Sequence, residues 1–300
     1  MSEQSTPAQV STAQVSGAQV NTAQVGAARA GAAVEEVAAP ALLAAAVQWA
    51  PGEDVDANRV AAAAWIDAAA VRGARLIVLP EYSQHCSSDL AATAPAAAEP
   101  LDGPFVGMLL ERAAAHDALV IAGLLERRDG GVANTVVAVD ATGVRAAYRK
   151  VHLYDAFGSR ESDWLTAGDP AQLPVVEALG TRIGIQTCYD LRFPEATRRL
   201  VDAGADVVVV PAEWVRGPQK ERHWTTLVTA RAIESTAHVV AADQAPPLGV
   251  GCSLIVDPMG VPLAALGDGE GIAVAPIDPA VTASTRSRNP SLANRRYRVA

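Results

Sequence analysis

Aromatic residues, cysteines and long apolar runs are all scarce in this sequence, and each scarcity narrows the class of protein. Aromatic residues make up 4% of the 300 residues and hydrophobic residues make up 50%, so the core must be built mainly from Ala, Val, Leu and Ile. No apolar run reaches the roughly 18 residues of a membrane-spanning helix. The first residues also lack the basic start and apolar core of a signal peptide. We therefore expect no membrane segment.

Cysteine occurs only as Cys86, Cys188 and Cys252, and no CxxC pair is present. An odd, widely spaced set does not suit a disulfide framework, which predicts a reducing, cytoplasmic compartment. The Cys and His positions lack the spacing of zinc ligands, so neither a metal nor a cofactor is predicted. A net charge of −9 argues against nucleic-acid binding, because nucleic-acid-binding proteins carry basic patches. This charge suits a protein with a small-molecule substrate.

The first 40 residues differ in composition from the rest of the chain. The triplet AQV recurs there at positions 8, 13, 18 and 23, a period of five that matches neither a helix face nor a strand face. We predict that residues 1–40 form a disordered low-complexity tail, with a weak helix as the alternative. Residues 41–300 are predicted to form a single domain.

From residue 41 onward, short runs of Val, Ile, Leu and Ala alternate with longer amphipathic stretches. This alternation predicts a layered α/β or α+β enzyme domain. The predicted strands span residues 42–48, 75–79, 118–124, 134–139, 182–187, 206–210, 238–242, 252–257 and 272–277. The predicted helices span residues 57–72, 104–116, 194–203 and 219–237, and a hairpin turn is expected at 141–143.

Three of the apolar runs end beside a residue that can carry chemistry. Glu81 follows "LIVLP", Lys150 lies in "YRKVHLYD", and Cys188 follows "GIQT". Taken singly, each has an ordinary explanation as a solvated glutamate, a surface lysine or a buried inert thiol. Functional groups gather at strand ends in open α/β sheets, so the three side chains are expected to meet at one edge.

Cys188 is the expected nucleophile of this set. A helix start near Pro194 and a nearby Lys150 predict a lowered pKa for its thiol. The carboxylate would take the thiol proton, the thiolate would attack a carbonyl or nitrile carbon, and the lysine with a backbone N–H would stabilise the oxyanion. The alternative is a Cys188–His152 pair, although a hydrogen-bonded structural role is favoured for that histidine.

Three ordered motifs point to a family. The segments "LIVLPEYS", "YRKVHLYD" and "TCYDLRFPE" place the glutamate, lysine and cysteine 69 and then 38 residues apart. Across roughly residues 41 to 298 the chain resembles the nitrilase superfamily of carbon–nitrogen hydrolases. The resemblance implies a four-layer αββα sandwich, a homodimer or higher homo-oligomer, and a Glu-Lys-Cys triad.

The resemblance also implies a role for each matching residue. Glu81 would be the general base, Lys150 the oxyanion stabiliser and Cys188 the nucleophile. The backbone N–H of Tyr189 would complete the oxyanion hole. Glu161, in "SRESDWLTAGD", would help to position Lys150 and the substrate.

Within the superfamily, "YRKVHLYD" and "CYDLRFPE" are most similar to the branch of omega-amidases and deaminated-glutathione amidases. That branch acts on small amides bearing a carboxylate, which Arg192 would hold by a bidentate contact. A structural salt bridge of Arg192 with Asp190 or Glu195 is the alternative. Glu213 and Trp214 are expected to border the substrate pocket, with Trp214 acting as a lid or as core packing.

Two other functions are compatible with the same motifs. A nitrilase or an N-carbamoyl hydrolase would use the same triad on a different carbon–nitrogen bond. A non-catalytic binding or scaffold protein would keep the fold alone. In that case the three cysteines should react equally with an alkylating reagent.

Overall fold

The computed structural model describes residues 42–297 of the chain. The predicted tail of residues 1–40 lies outside this range, so the division into a tail and one domain stays a prediction. Residues 42–297 form two six-stranded sheets and six α-helices. None of these helices is long and apolar enough to span a bilayer.

The strands and helices alternate along much of the chain. The strands are β1 (Leu42–Gln48), β2 (Leu76–Val78), β3 (Leu119–Arg128), β4 (Gly131–Asp140), β5 (Gly143–Arg149), β6 (Val175–Ala178), β7 (Thr181–Ile185), β8 (Val207–Ala212), β9 (His238–Asp243), β10 (Leu254–Val256), β11 (Pro262–Ala265) and β12 (Gly271–Ile277). The helices are α1 (Val55–Val71), α2 (Leu90–Ala97), α3 (Pro104–His116), α4 (Pro194–Asp202), α5 (Lys220–Ser235) and α6 (Pro279–Arg288).

Each sheet has a parallel centre and antiparallel edges. The first sheet has the order β12-β1-β2-β3-β4-β5, in which β1, β2 and β3 are parallel. The second has the order β11-β10-β9-β8-β7-β6, in which β7, β8 and β9 are parallel. Parallel strands need helical crossovers, and such sheets are covered by helices.

Alternate side chains of each strand build the layers. Ala44 and Ala46 of β1 face a core between the two sheets, where they meet Val207 and Val209 of β8. The intervening Ala45 packs outward against α1 and α3. Val208 of β8 packs outward against α4 and α5. The order helix, sheet, sheet, helix confirms the predicted four-layer αββα sandwich.

All the predicted strands and helices are present in the structure, and their ends differ from the predicted ones by up to four residues. Strand β3 continues past residue 124 because the buried carboxylate of Glu126 accepts hydrogen bonds from Thr135 and from the guanidinium of Arg149. Strands β6 and β11 lie at the edges of the second sheet and were not predicted. Helices α2 and α6 were also not predicted, since their residues are small or polar and few of them are buried.

Candidate active site

The three predicted reactive residues lie just beyond strand ends. Glu81 follows β2, and Lys150 follows β5, which runs in the same direction as β2. Cys188 follows β7 of the second sheet. All three line one pocket. The structure therefore brings the predicted acid, lysine and thiol together.

Glu81 is held by a fixed set of donors, and its side chain is only 1% exposed. Its Oε1 accepts from Lys150 Nζ at 3.0 Å and from Asn134 Nδ2 at 2.6 Å. Its Oε2 accepts from the backbone N–H of Glu213 at 2.8 Å. Burial raises the pKa of Glu81, and the ammonium of Lys150 opposes that rise. A fixed carboxylate with a raised pKa is suited to taking up a proton and returning it.

A glycine in the neighbouring strand makes room for Glu81. The chain leaves β2 so close to β3 that a Cβ on Gly123 would lie 2.7 Å from Glu81 Cα and 2.8 Å from Tyr82 N. Tyr82 has a φ of +56°, in the left-handed region that few side-chain-bearing residues adopt. Its hydroxyl donates to Glu161 Oε1 at 2.8 Å. This bend in the chain places Glu81 in the pocket.

Lys150 lies between two carboxylates. Its Nζ is 3.0 Å from Glu81 Oε1 and 2.9 Å from Glu161 Oε2. Burial alone would lower the pKa of Lys150, but the carboxylates of Glu161 and Glu81 together raise it well above its usual value. Glu161 is fixed in turn by the backbone N–H of Tyr154, which donates to its Oε2 at 2.7 Å. The result is a permanently charged ammonium in a fixed position, with Glu161 in contact with it.

Cys188 begins a short 3-10 helix, Cys188–Arg192, with a φ of +41°. Backbone strain of this kind is concentrated at functional sites. The helix is capped where the N–H of Thr187 donates to Asp190 Oδ2 at 2.9 Å. Cys188 Sγ donates to the carbonyl oxygen of Glu213 at 3.5 Å, and the next residue, Tyr189, also lines the pocket.

The predicted lowering of the Cys188 pKa is wrong. Burial and the carboxylate of Glu81 raise the pKa of the Cys188 thiol well above its usual value, although Lys150 opposes them. Burial outweighs the nearby ammonium because it disfavours any charged form. The thiol therefore needs a base to ionise it, and Glu81 is the carboxylate whose charge acts most strongly on it.

His152 contacts Asp190 rather than Cys188. Its Nδ1 lies 2.7 Å from Asp190 Oδ1, and its ring stacks on Phe193 with the ring centres 3.8 Å apart. Tyr148 donates its hydroxyl to Asp190 Oδ2 at 2.8 Å. His152 is not among the residues that line the pocket around Cys188. These contacts support the structural role for His152 and weigh against the Cys188–His152 pair.

Glu213 and Trp214 follow β8 and form part of the pocket wall. Burial, with a contribution from the carboxylate of Glu81, raises the pKa of Glu213 to about 8. Trp214 is only 3% exposed, its backbone N–H donates to Asp243 Oδ1 at 2.7 Å, and its indole packs on Trp224 with ring centres 5.4 Å apart. These contacts support core packing for Trp214, which is also part of the pocket wall.

Arg192 lines the pocket without a carboxylate partner. Its guanidinium lies 4.9 Å from the Trp214 ring centre and 3.4 Å from His223 Nδ1. Its Nε is buried and has no hydrogen-bond partner within residues 42–297. None of the ion pairs formed by these residues includes Arg192. The alternative salt bridge with Asp190 or Glu195, both within the described range, is therefore absent.

Two further residues of the site were not predicted. Asn134 orients Glu81, but a single asparagine in a strand carries no signal of that role. Lys220 also lines the pocket. A signal for Lys220 does exist in the composition, since the chain contains only two lysines among its 24 basic residues. Both of them, Lys150 and Lys220, line this pocket.

The site combines a thiol, a buried carboxylate and a fixed ammonium, a set suited to nucleophilic attack on a carbonyl or nitrile carbon. In the part of the chain that the structure describes, no group of three or more His, Cys, Asp or Glu side chains is arranged to hold a metal ion.

Comparison with known proteins agrees with the resemblance to the carbon–nitrogen hydrolases. The family model for carbon–nitrogen hydrolases matches residues 43–287. A deaminated glutathione amidase of Escherichia coli O157:H7 is 36% identical over 257 residues, which cover 85% of this chain and 98% of that protein. A deaminated glutathione amidase of Rattus norvegicus is 34% identical, over 75% of this chain and 73% of its own length.

Solved structures extend this comparison to the fold. A CN-hydrolase superfamily protein of Xanthomonas campestris, with an arsenic adduct in its active site, is 28% identical. It superposes with a TM-score of 0.77 over 87% of this chain and 99% of its own. A Saccharomyces cerevisiae member of branch 10 of the nitrilase superfamily is 26% identical, with a TM-score of 0.75 over 85% of this chain and 97% of its own.

Proposed function

The chain belongs to the carbon–nitrogen hydrolase family of the nitrilase superfamily, and from that premise we propose that it is a cysteine-dependent amidase. Its substrate is a small amide that bears a carboxylate. The observation that carries the proposal is the meeting of Cys188, Glu81 and Lys150 in a pocket that also holds Arg192 without a carboxylate partner. The relatives named deaminated glutathione amidases support an amide as the substrate class.

In the first half of the reaction, Glu81 takes the thiol proton of Cys188. The thiolate attacks the amide carbon, and negative charge collects on the amide oxygen. Lys150 and the backbone N–H of Tyr189 stabilise that oxyanion, and losing one such donor typically lowers the rate about 100- to 1000-fold. Glu81 then returns its proton to the leaving nitrogen, and ammonia or an amine departs. A thioester on Cys188 remains.

In the second half, Glu81 takes a proton from water, and the hydroxide attacks the thioester carbon. The same oxyanion donors stabilise the second tetrahedral intermediate, which expels the thiolate. Glu81 then returns its proton to the thiolate, which restores the free thiol and the carboxylate of Glu81 as the carboxylic acid product leaves. The raised pKa of Glu81 supports its use as both acceptor and donor, because a group with a pKa closer to neutrality exchanges protons more readily at neutral pH.

The position of Arg192 supports the proposal that the substrate bears a carboxylate. Its guanidinium is charged at any ordinary pH, and no carboxylate of the described residues neutralises it. A substrate carboxylate would supply the missing counter-charge by a bidentate contact. A neutral nitrile or amide would leave this charge unpaired.

The proposal is tested with the Cys188→Ala variant and a panel of small amides that includes alpha-ketoglutaramate and deaminated glutathione. Ammonia or carboxylate release is measured for each substrate. We expect the wild-type protein to hydrolyse at least one carboxylate-bearing amide, and Cys188→Ala to lose that activity while its circular dichroism spectrum stays the same. Turnover by the alanine variant at the wild-type rate would rule the proposal out.

A further inference from the structure

A buried cation without a counter-ion lies in the same pocket. Lys220 is 6% exposed, and none of the ion pairs within residues 42–297 includes it. Burying an ammonium without an anion is costly, so such groups are normally paired. Lys150 shows the paired arrangement, with two carboxylates within 3.0 Å. Lys220 therefore lacks the carboxylate partners that Lys150 has.

The surroundings of Lys220 are aromatic and cationic. Its Nζ donates to the Tyr154 hydroxyl at 2.9 Å and lies 4.0 Å from the ring centre of Phe157. Arg192 also lies against Phe157, 5.6 Å from the same ring centre. Burial, followed by the charge of Arg192, lowers the pKa of Lys220. Two cations therefore lie around the same aromatic rings, and their like charges repel each other.

The carboxylates that line the pocket do not neutralise this pair. Two of them are bound to Lys150. The third, Glu213, has its pKa raised by burial to about 8, which favours its uncharged form at neutral pH. It forms no ion pair with either cation in the described part of the chain. A carboxylate on a bound molecule would therefore be the first anion in direct contact with Lys220 and Arg192.

The choice of lysine at this position is itself informative. Of the 24 basic residues in the chain, 22 are arginines, so positive charge is supplied by a guanidinium almost everywhere. An ammonium is a compact donor that fits where a planar guanidinium does not. One of the two lysines contacts the predicted catalytic acid, and the other lies in the same pocket.

We propose that Lys220 is a substrate-binding residue that, together with Arg192, binds the substrate carboxylate. Lys220 thereby sets the preference of the enzyme for anionic over neutral amides. This inference rests on the proposed amidase function and assigns a specificity-determining role that the sequence motifs do not cover. Arg192 gives a bidentate contact to the carboxylate, and the Lys220 ammonium gives a point-charge contact from the other cationic group of the pocket.

The kinetic test compares two amides of similar size, succinamate, which carries a carboxylate, and butyramide, which is neutral. We expect Lys220→Gln to lower kcat/KM for succinamate about 10- to 100-fold, mainly through a higher KM, because a hydrogen bond to a charged group is lost. For butyramide the change should stay within about threefold. Lys220→Arg, which keeps the charge, should retain part of the preference for succinamate.

Arg222→Gln is the matched control, because it removes one positive charge from an exposed position of the same helix, two residues away. It should leave the succinamate preference unchanged. The inference fails if Lys220→Gln lowers activity on both amides equally, since that pattern indicates structural support of Trp214, whose indole N–H donates to the Lys220 carbonyl. It also fails if Arg222→Gln lowers the preference as much.

A second measurement does not require turnover. Because the chain has two lysines and the pKa of Lys150 is raised while that of Lys220 is lowered, acetic anhydride should modify Lys220 first, as read by peptide mass spectrometry. Succinate, the product of succinamate hydrolysis, should slow this modification at least fivefold in the wild-type protein. Protection in a protein that hydrolyses no amide would remove the proposed function and keep the carboxylate site. Absence of protection would overturn the role of Lys220.

Discussion

Replacing Lys150 with methionine separates the Glu-Lys-Cys arrangement from its Cys-His alternative. The ammonium of Lys150 lies 3.0 Å from Glu81 and 2.9 Å from Glu161, and all three side chains are buried. Methionine keeps the apolar stem and removes the charge. Two buried carboxylates then face each other with no cation between them, so one of them must take up a proton or the site must open.

The expected loss of stability is large. Removing one partner of a buried ion pair costs about 3–5 kcal/mol, against a total unfolding free energy of about 5–15 kcal/mol for a typical domain. The expected loss of activity is larger still, at least the 100- to 1000-fold of one missing oxyanion donor. Glu161 also raises the pKa of Glu81, and without Lys150 nothing of comparable strength opposes it. Glu81 must be ionised to act as a base, so any residual activity should need a higher pH.

The assay is ammonia release from succinamate between pH 5 and 9, with urea unfolding followed by circular dichroism. Lys150→Arg keeps the charge and should lose less stability than Lys150→Met. Comparing the two variants shows whether a loss of activity is caused by unfolding. His152→Gln should retain activity within about tenfold, because His152 bonds to Asp190 outside the pocket. An active Lys150→Met enzyme beside an inactive His152→Gln enzyme would refute this account and support the Cys188–His152 pair.

Three further predictions follow from the geometry. Gly123→Ala should lower stability by about 1–3 kcal/mol and activity at least tenfold, because its Cβ would lie 2.7 Å from Glu81 Cα; unchanged thermal unfolding and ammonia release would contradict this. Folding raises the pKa of Glu213 from 4.5 to about 8, so the native state binds this proton more tightly than the unfolded state does. Wild-type stability should therefore fall relative to Glu213→Gln as the pH rises from about 5 to 8, and urea unfolding with the same pH slope in both proteins would argue against it. Iodoacetamide should alkylate Cys188 faster than Cys86, because Cys188 lines the pocket beside Glu81, which can take its proton, whereas Cys86 is buried outside the pocket; equal rates would favour a non-catalytic scaffold.

The buried part of the fold is readable from the sequence because strand patterning reports burial. Strand β1 and helix α3 have the predicted bounds, 42–48 and 104–116. The end of β3 is not readable in this way, because the charge of Glu126 is compensated by Arg149 from a strand two positions away in the sheet. Tertiary pairing of this kind leaves no local pattern in the chain.

The candidate site also has features that the sequence predicts and features that it does not. Glu81, Lys150 and Cys188 stand at the ends of apolar runs, so their positions can be predicted from the amino-acid sequence. The raised pKa of Cys188 could not be predicted, since it depends on how deeply the thiol is buried. The partnerless state of Arg192 likewise depends on side-chain directions that the sequence does not specify. The homodimer and the cytoplasmic location stay predictions.

A thioester on Cys188 is the central claim, and mass spectrometry of the enzyme quenched in acid during turnover tests it most directly. The account predicts that the peptide containing Cys188 gains the mass of the substrate minus ammonia, and that this adduct disappears when the substrate is exhausted. Peptides containing Cys86 and Cys252 should stay unmodified. Rapid turnover with no acyl group on Cys188 at any time point, together with an active Cys188→Ala variant, would contradict it.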